Sequence, residues 1–343
     1  MKLIRFSQGD SQPRFGVVIG DHVVAFTTLQ QRRGTRQPEL DDSSAYLAAL
    51  PASEKAAREL AAWGETQLRS WTEAERPKLH DVRLHSPVEV AALFDFGLTP
   101  RHLKNSAETL MKYERDNPQT APILQAFAKM LLAKPPAPPP GVPERLSYYK
   151  CNMNSISGDG VTVPWPLYTS RLDIEPELAV VYGNARQPIA GWCIFNDVSA
   201  RDVQAPEFIG GFCLTKDMDQ GNQLGPFLVT ADEVGDPYAL EVVVSVDGQE
   251  RYRGSTAEID HKAEDAFAWL RVISAIQPGT VVGMGTIPDC TGLDHDDFVD
   301  PGAAIEIRFD RLGSLRCRFA EPARKLLPSR WPLREAMKKF QGS

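Results

Sequence analysis

The sequence predicts an α+β fold in which the second half of the chain is mostly β. Short β-rich segments dominate after about residue 145, and helix and strand patterns do not alternate regularly, as they would in a parallel α/β protein. The sequence has no internal repeats. Its 343 residues exceed what one compact core usually needs, which favours a large domain and a smaller one.

The smaller predicted domain covers residues 1–85 and is an α/β segment. Residues 28–43 are polar and are predicted to form a loop. Residues 53–71 carry apolar side chains at roughly helical spacing and predict an amphipathic helix. Apolar segments that predict short strands precede both, at residues 3–6, 15–19 and 23–26.

The larger predicted domain covers residues 86–343 and contains an insertion at about residues 103–144. The insertion begins with a helical stretch that Pro118 and Pro122 interrupt, and it ends in the proline-rich run 134–143. A stiff polyproline connector is one interpretation of this run. The other interpretation is that the helices and the run frame a lid over a functional site.

The rest of the larger domain is predicted to be strands with one helix, at about residues 262–276, which stops before Pro278 and Gly279. Residues 240–246 alternate apolar and polar side chains, and Asp247 and Gly248 then predict a tight hairpin. Further strands are predicted at residues 90–96, 178–182, 191–195, 281–284, 304–309 and 315–319.

Composition and charge exclude several classes of function. The formal net charge of −7 argues against a nucleic acid or an anionic membrane as the main partner, and no apolar run is long enough to span a bilayer. The five cysteines are scattered singly, which argues against disulfides and zinc ribbons and suits a reducing compartment. We therefore expect a cytoplasmic protein. Positive charge could still be concentrated at one site, so composition does not exclude a small anionic substrate.

Three carboxylates form the main candidate site. Glu175 and Glu177 are two residues apart before an apolar run, so in an extended chain both point to the same side. Asp197 ends the next predicted strand and would lie beside them if the two strands are neighbours. Carboxylates without a convergent His or Cys select a hard cation, so Mg²⁺, Mn²⁺ or Ca²⁺ is expected. The alternatives are a solvated strand face and, for Asp197, a helix N-cap.

Other motifs follow in a fixed order. Arg201 and Gln204 lie a few residues after Asp197. Lys216 stands between Thr215 and Asp217, a segment that we interpret as a strand end. Gly225-Pro226 follows and is interpreted as a turn. Gly283-Met-Gly-Thr286 comes later in the chain. Together with the three carboxylates, these motifs resemble the fumarylacetoacetate hydrolase family across about residues 145–320.

The resemblance implies a fold, a set of roles and an assembly. The fold is the mixed β-roll of fumarylacetoacetate hydrolase-like proteins, and the assembly is a homodimer built through the β-rich half. Glu175, Glu177 and Asp197 would be metal ligands. Lys216 would be catalytic, and the side chains that contact substrate would be Arg201, Gln204 and Thr286.

A further resemblance concerns the catalytic base. Larger fumarylacetoacetases carry a metal-ligand aspartate seven residues before a catalytic histidine, and Asp95 and His102 have this spacing. A lone histidine is more often structural, which is the alternative for His102. No partner that would orient His102 is identified, because Asn105 stands where short family members have glutamate. The acidic run 294–297 is predicted to be a solvated loop. Phe208 stands where the larger family members tend to have tyrosine.

The resemblance implies metal-dependent hydrolysis of a carbon–carbon bond in a 2,4-diketo acid, an acylpyruvate or a fumarylacetoacetate-like substrate, in the catabolism of aromatic or related compounds. The alternative is an isomerase, decarboxylase or hydratase of a 2-oxo acid, since all of these pass through a metal-bound enolate. A third hypothesis is a binding protein that keeps the metal site without the base.

Overall fold

The computed structural model describes residues 1–133 and 136–341. The strands in these ranges are β1 (Lys2–Ser7), β2 (Arg14–Ile19), β3 (His22–Ala25), β4 (Arg83–Leu84), β5 (Ala92–Phe96), β6 (Tyr148–Lys150), β7 (Ile156–Ser157), β8 (Val161–Val163), β9 (Leu172–Asp173), β10 (Pro176–Tyr182), β11 (Ile189–Asp197), β12 (Ser199–Ala200), β13 (Asn222–Val229), β14 (Glu241–Val246), β15 (Gln249–Ser255), β16 (Thr280–Thr286), β17 (Ala304–Phe309) and β18 (Gly313–Phe319). The α-helices are α1 (Phe26–Arg33), α2 (Ser43–Ala48), α3 (Ala52–Gln67), α4 (Pro100–Glu114), α5 (Ala121–Leu132), α6 (Gln204–Glu207), α7 (Cys213–Lys216), α8 (Ala231–Val234), α9 (Ala263–Ile273), α10 (Gly292–His295) and α11 (Glu335–Lys338).

Two large sheets confirm the α+β fold with a mostly β second half. The central sheet has the order β3-β2-β1-β13-β11-β10-β16-β5-β6, with β4 beside β1 and β7 beside β13. The second sheet has the order β15-β14-β17-β18-β8, and β9 pairs with β12 alone. The boundary at residue 85 stays a prediction, and the N-terminal strands extend the central sheet because β1 pairs with β13.

The middle strands of the central sheet are buried on both faces. Alternate side chains of β10 enter two hydrophobic clusters, Leu178 and Val180 in one and Ala179 and Val181 in the other. Burial of each larger side chain stabilises the fold by about 1.5–3 kcal/mol. Pro176 is the first residue of β10, a position that tolerates proline, because proline has no N–H to donate inside a ladder.

Residues 28–43 are not a loop as predicted, because they contain most of α1 and the start of α2. The polar sequence of α1 gives little helical periodicity. Phe26 and Leu29 are nevertheless fully buried against strand β2 and helix α3, and Gly34 ends the helix with φ at 69°. Packing of one short apolar stripe therefore decides the structure, which composition does not reveal.

Two other local predictions are also wrong. Lys216 ends the short helix α7 and not a strand. Gly225 and Pro226 lie inside β13 and not in a turn. The register between β11 and β13 shifts after Trp192, so Pro226 falls where the ladder is irregular and its missing N–H is tolerated.

The predicted helical insertion is present as α4 and α5. Pro122 lies in the first turn of α5, where a helix tolerates proline. Lys134 and Pro135 lie outside the described residues, and residues 136–147 contain no helix or strand. Within the described ranges, no helix has both the length and the apolar character needed to cross a membrane.

Candidate metal and catalytic site

Three buried carboxylates converge at one edge of the central sheet. Asp95, Glu175 and Asp197 each offer an oxygen, and these oxygens lie within 4.8 Å of one another. Asp95 is on β5 and Asp197 ends β11, while Glu175 precedes β10, which lies between them in the sheet together with β16. The sheet therefore brings together residues that are up to about a hundred positions apart in the sequence.

Glu177 lies beside this cluster but faces β16. Its Oε2 accepts a hydrogen bond from the Gly285 N–H at 3.1 Å, and its Oε1 accepts one from Thr286 Oγ1 at 3.1 Å. A Cβ at Gly283 would overlap Glu177 Oε2, so only glycine leaves room for this carboxylate. The Gly-Met-Gly-Thr motif thus forms the cradle of Glu177, and Thr286 contacts that glutamate.

Burial and mutual repulsion act on these acids. Desolvation, reinforced by the neighbouring carboxylates, holds the pKa of Asp95 and of Glu177 well above its usual value. Burial also raises the pKa of Asp197, and its Oδ1 is buried without a hydrogen-bond partner. An all-oxygen site with an unpartnered carboxylate oxygen fits a hard divalent cation.

Two buried cations offset part of the negative charge. Lys216 Nζ donates hydrogen bonds to both Glu175 Oε2 and Asp197 Oδ2. Arg201 contacts Glu175 through Nη1 at 2.5 Å and Asp173 through Nε at 2.9 Å. Arg201 Nη1 also donates to Gln204 Oε1 at 3.3 Å, and Arg201 Nη2 is buried without a partner. The predicted residues Arg201, Gln204 and Lys216 therefore lie at the site.

His102 lies on the other side of Glu175, on helix α4. Its Nδ1 is 3.1 Å from Asp294 Oδ1, and its Nε2 is 3.5 Å from Glu175 Oε1 and 3.2 Å from Ser106 Oγ. An ionised carboxylate only accepts hydrogen bonds, so Asp294 keeps a proton on Nδ1, and Nε2 is the nitrogen that gains and loses the second proton. Burial lowers the pKa of His102, but Asp294 and Glu175 outweigh it and raise this pKa to about 9.

Asp294 corrects one sequence prediction, because its side chain is fully buried and not part of a solvated loop. It lies 192 positions from His102, and no local pattern connects the two. Only the packing of α10 against α4 brings them together.

Asp173 is a second residue that the sequence interpretation missed. Its carboxylate accepts hydrogen bonds from the N–H groups of Gly292 at 2.8 Å and Leu293 at 2.9 Å, in the first turn of α10, and from Arg201. It thereby links the helix that carries Asp294 to the guanidinium that contacts Glu175. Residues 173, 175 and 177 are two positions apart, so in an extended chain their side chains point to the same side. The spacing that singles out the two glutamates could therefore also have identified Asp173.

Tyr149 is the third missed residue. Its hydroxyl donates a hydrogen bond to Asp197 Oδ2, and it lies on β6 opposite Asp95 of β5. Strand β6 has only three residues, which gives the sequence too short a pattern to reveal it.

Comparison with known proteins places these features in a family. Residues 123–320 match the family model described as fumarylacetoacetate (FAA) hydrolase C-terminal. An uncharacterized protein of Staphylococcus haemolyticus is 28% identical over 189 residues, which make up 52% of this chain and 62% of the relative. The match to this relative thus spans about 62% of its length.

Solved structures show the same fold. Maleylpyruvate hydrolase from Sphingobium sp. SYK-6, in complex with manganese(II) and pyruvate, has a TM-score of 0.61 at 21% identity over 94% of this chain and 100% of that chain. The 5-carboxymethyl-2-hydroxymuconate delta-isomerase from Mycobacterium smegmatis has a TM-score of 0.60 at 21% identity, covering 93% and 99% respectively.

Proposed function

Because the chain belongs to the fumarylacetoacetate hydrolase family, we propose that it is a divalent-metal-dependent hydrolase that cleaves a carbon–carbon bond of an acylpyruvate or a related 2,4-diketo acid. One observation carries this proposal: His102 has Asp294 on one ring nitrogen and the carboxylate cluster near the other. An oriented base that can deprotonate water favours hydrolysis over isomerisation or decarboxylation, since neither of those reactions consumes water.

The metal would be held by Asp95, Glu175 and Asp197, with Glu177 beside them. Mg²⁺ is the proposed ion, and Mn²⁺ or Ca²⁺ would suit the same oxygen ligands. When bound, such a cation supplies Lewis acidity toward the carboxylate and 2-oxo oxygens of the substrate. The manganese(II) and pyruvate in the Sphingobium maleylpyruvate hydrolase support a pyruvate-like ligand beside a divalent ion.

The residues around the cluster would bind and orient the substrate. Arg201 Nη2 is buried without a partner, so it offers charge-assisted hydrogen bonds to the substrate carboxylate. An ammonium has three donors, and Lys216 uses two of them on Glu175 and Asp197, which leaves the third for a developing enolate oxygen.

The cleavage itself would depend on His102 and Gln204. His102 Nε2 takes a proton from water, and the hydroxide oxygen forms a bond to the distal carbonyl carbon. The side-chain N–H of Gln204, whose Oε1 accepts a hydrogen bond from Arg201, would stabilise the resulting oxyanion. The carbon–carbon bond then breaks, its electron pair passes to the pyruvate half as an enolate, and protonated His102 returns the proton to that carbon. The products are a carboxylic acid and pyruvate.

The test is product analysis of an acylpyruvate incubated with the protein and Mg²⁺ in ¹⁸O-labelled water. Label in the released carboxylic acid is the expected result. Carbon dioxide or an isomerised substrate without such an acid would move the protein to the decarboxylase or isomerase class. A reaction without added metal, in the presence of a chelator, is the matched control.

The predicted homodimer through the β-rich half is carried into this proposal. Light scattering at micromolar concentration is expected to give twice the chain mass, and a monomeric mass would contradict it.

A further inference from the structure

A column of four aromatic rings runs from the carboxylate cluster to the helical insertion. At its inner end, the Tyr149 hydroxyl bonds to Asp197, and Lys216 Nζ lies 5.7 Å from the centre of the Tyr149 ring. The Phe212 ring follows at 5.3 Å from the Tyr149 ring, and the Phe208 ring at 5.4 Å from that of Phe212. The column thus begins at the proposed reaction centre.

The outer end of the column reaches helix α5. The rings of Phe208 and Phe127 stack with their centres 4.4 Å apart and their planes at 30°. Phe127, Phe208 and Phe212 are each only partly buried, so part of the surface of each side chain is accessible. The rings therefore form an apolar wall between the carboxylate cluster and the surface.

Phe208 and Phe212 belong to a segment that is polar at both ends and apolar in the middle. Residues 204–216 begin with Gln204 and end with Lys216, which are both buried at the site. Between them, Ile209 is 75% exposed and Leu214 is 48% exposed. This one segment therefore has buried polar side chains at its two ends and exposed apolar side chains between them.

Glu207 fixes the shape of this segment. Its carboxylate accepts hydrogen bonds from the backbone N–H groups of Leu214 at 2.9 Å and Thr215 at 2.8 Å, and from Thr215 Oγ1 at 2.6 Å. These bonds close residues 207–215 into a loop. Gly211 lies in this loop with φ at 95°, a conformation that favours glycine. The two phenylalanines are thus presented by a closed loop.

The charges around the column disfavour a second anionic group on the ligand. Lys216 is the only Lys or Arg of the described residues whose cationic group lies over one of the four rings, and it already contacts two carboxylates. A carboxylate placed against Phe208 and Phe212 would lose hydration with no cation over either ring to offset the loss. An uncharged apolar group would cover the rings and gain the free energy of apolar burial.

Building on the proposed function, we infer that the column of Tyr149, Phe212, Phe208 and Phe127 binds the acyl group of the substrate, and that this group is apolar and uncharged, with an aryl ring as its best form. The substrate class is then a monocarboxylic acylpyruvate such as an aroylpyruvate. Substrates with a second carboxylate on the acyl half are disfavoured.

The inference is tested by binding, so that it does not depend on cleavage. Calorimetry with Mg²⁺ present compares 4-phenyl-2-oxobutanoate, which carries a ring, with 2-oxoadipate, which carries a second carboxylate. The phenyl acid is expected to bind at least about tenfold more tightly, because burial of a ring is worth at least a factor of this size. Equal affinities, or no binding of either acid, would overturn the inference.

Variants at Phe212 and Phe340 test whether the preference for the phenyl acid depends on the aromatic column. Phe212→Ala should bring the affinity ratio of the two acids close to one and leave the affinity for pyruvate unchanged, and Phe212→Leu serves if the alanine variant does not fold. Phe340→Ala, which changes a half-buried phenylalanine packed against a different cluster, should keep the wild-type ratio. An unchanged ratio in the Phe212 variants would contradict the inference. Failure of the ¹⁸O experiment alone would overturn the hydrolase and not the apolar subsite.

Discussion

The carboxylate cluster and the groups that face it are held in different ways. Asp95, Asp197 and Glu177 lie on the paired strands β5, β16, β10 and β11 of the central sheet, where β16 pairs with both β5 and β10 and β10 pairs with β11. His102 and Phe127 lie on helices α4 and α5, outside the sheet. Helix α4 packs against α5 and α10, and its side chains are hydrogen-bonded to Asp294 and Trp331. We infer that metal binding depends on the sheet, and that the choice of reaction and substrate depends on the helices. Substitutions in one part at a time test this separation.

The largest effect is expected from the sheet. Asp197→Asn removes one of the three convergent carboxylates and a partner of Lys216, so Mg²⁺ binding measured by calorimetry should fall below detection and cleavage with it. The variant should remain folded by circular dichroism. Asp159→Asn, at a partly exposed carboxylate paired with Arg316, is the matched control and should bind Mg²⁺ normally. Unchanged affinity in Asp197→Asn would mean that the site is misassigned.

Substitution of His102, the proposed base, is expected to lower the rate and to leave metal binding intact. His102→Ala should lower kcat by about 10²–10⁴-fold, the usual worth of a general base, with Mg²⁺ affinity close to that of the wild type. Steady-state kinetics and calorimetry on the same preparation check both halves. Asn105→Ala, one turn further along α4, is the control that leaves the base in place. A loss of metal binding in His102→Ala would show that the helix and the sheet are not separable.

A smaller effect on rate, with a diagnostic pH dependence, is expected at Asp294. Its carboxylate raises the pKa of His102, so Asp294→Asn should lower that pKa and shift the acidic limb of kcat/KM to lower pH. The plateau rate should fall as well, because Nδ1 loses its orienting acceptor. An acidic limb that stays in place while the rate falls would assign Asp294 a structural role only.

The smallest effect is expected at the contact between Trp331 and helix α4. Trp331 Nε1 donates to the buried carboxylate of Glu114 at 2.7 Å, and its ring stacks on Tyr113 at 4.3 Å. Trp331→Phe removes the donor and should reduce the free energy of unfolding by about 1–3 kcal/mol. Thermal unfolding measures this loss, and Mg²⁺ affinity should not change. Trp63→Phe, at a partly exposed tryptophan of α3, should lower stability less.

Most strand assignments and the carboxylate motif could be predicted because their signals are local. Alternation and the Asp-Gly turn predict β14 and β15, and the two-residue spacing predicts that Glu175 and Glu177 share a side. The helix α1 and the buried position of Asp294 could not be predicted. Both depend on what lies opposite them in the folded chain, and their own residues are polar.

Local sequence patterns were enough to predict the fold class, the family resemblance and the residue types of an oxygen-ligand metal site, since period-two patterning and motif order are properties of neighbouring positions. The folded chain was needed to find which oxygens converge, that Glu177 faces the N–H of Gly285, that Asp173 joins Arg201 to α10, and that Asp294 lies against His102. Strand order in the central sheet and the packing of α10 against α4 join residues far apart in the chain, and no local propensity encodes those distances.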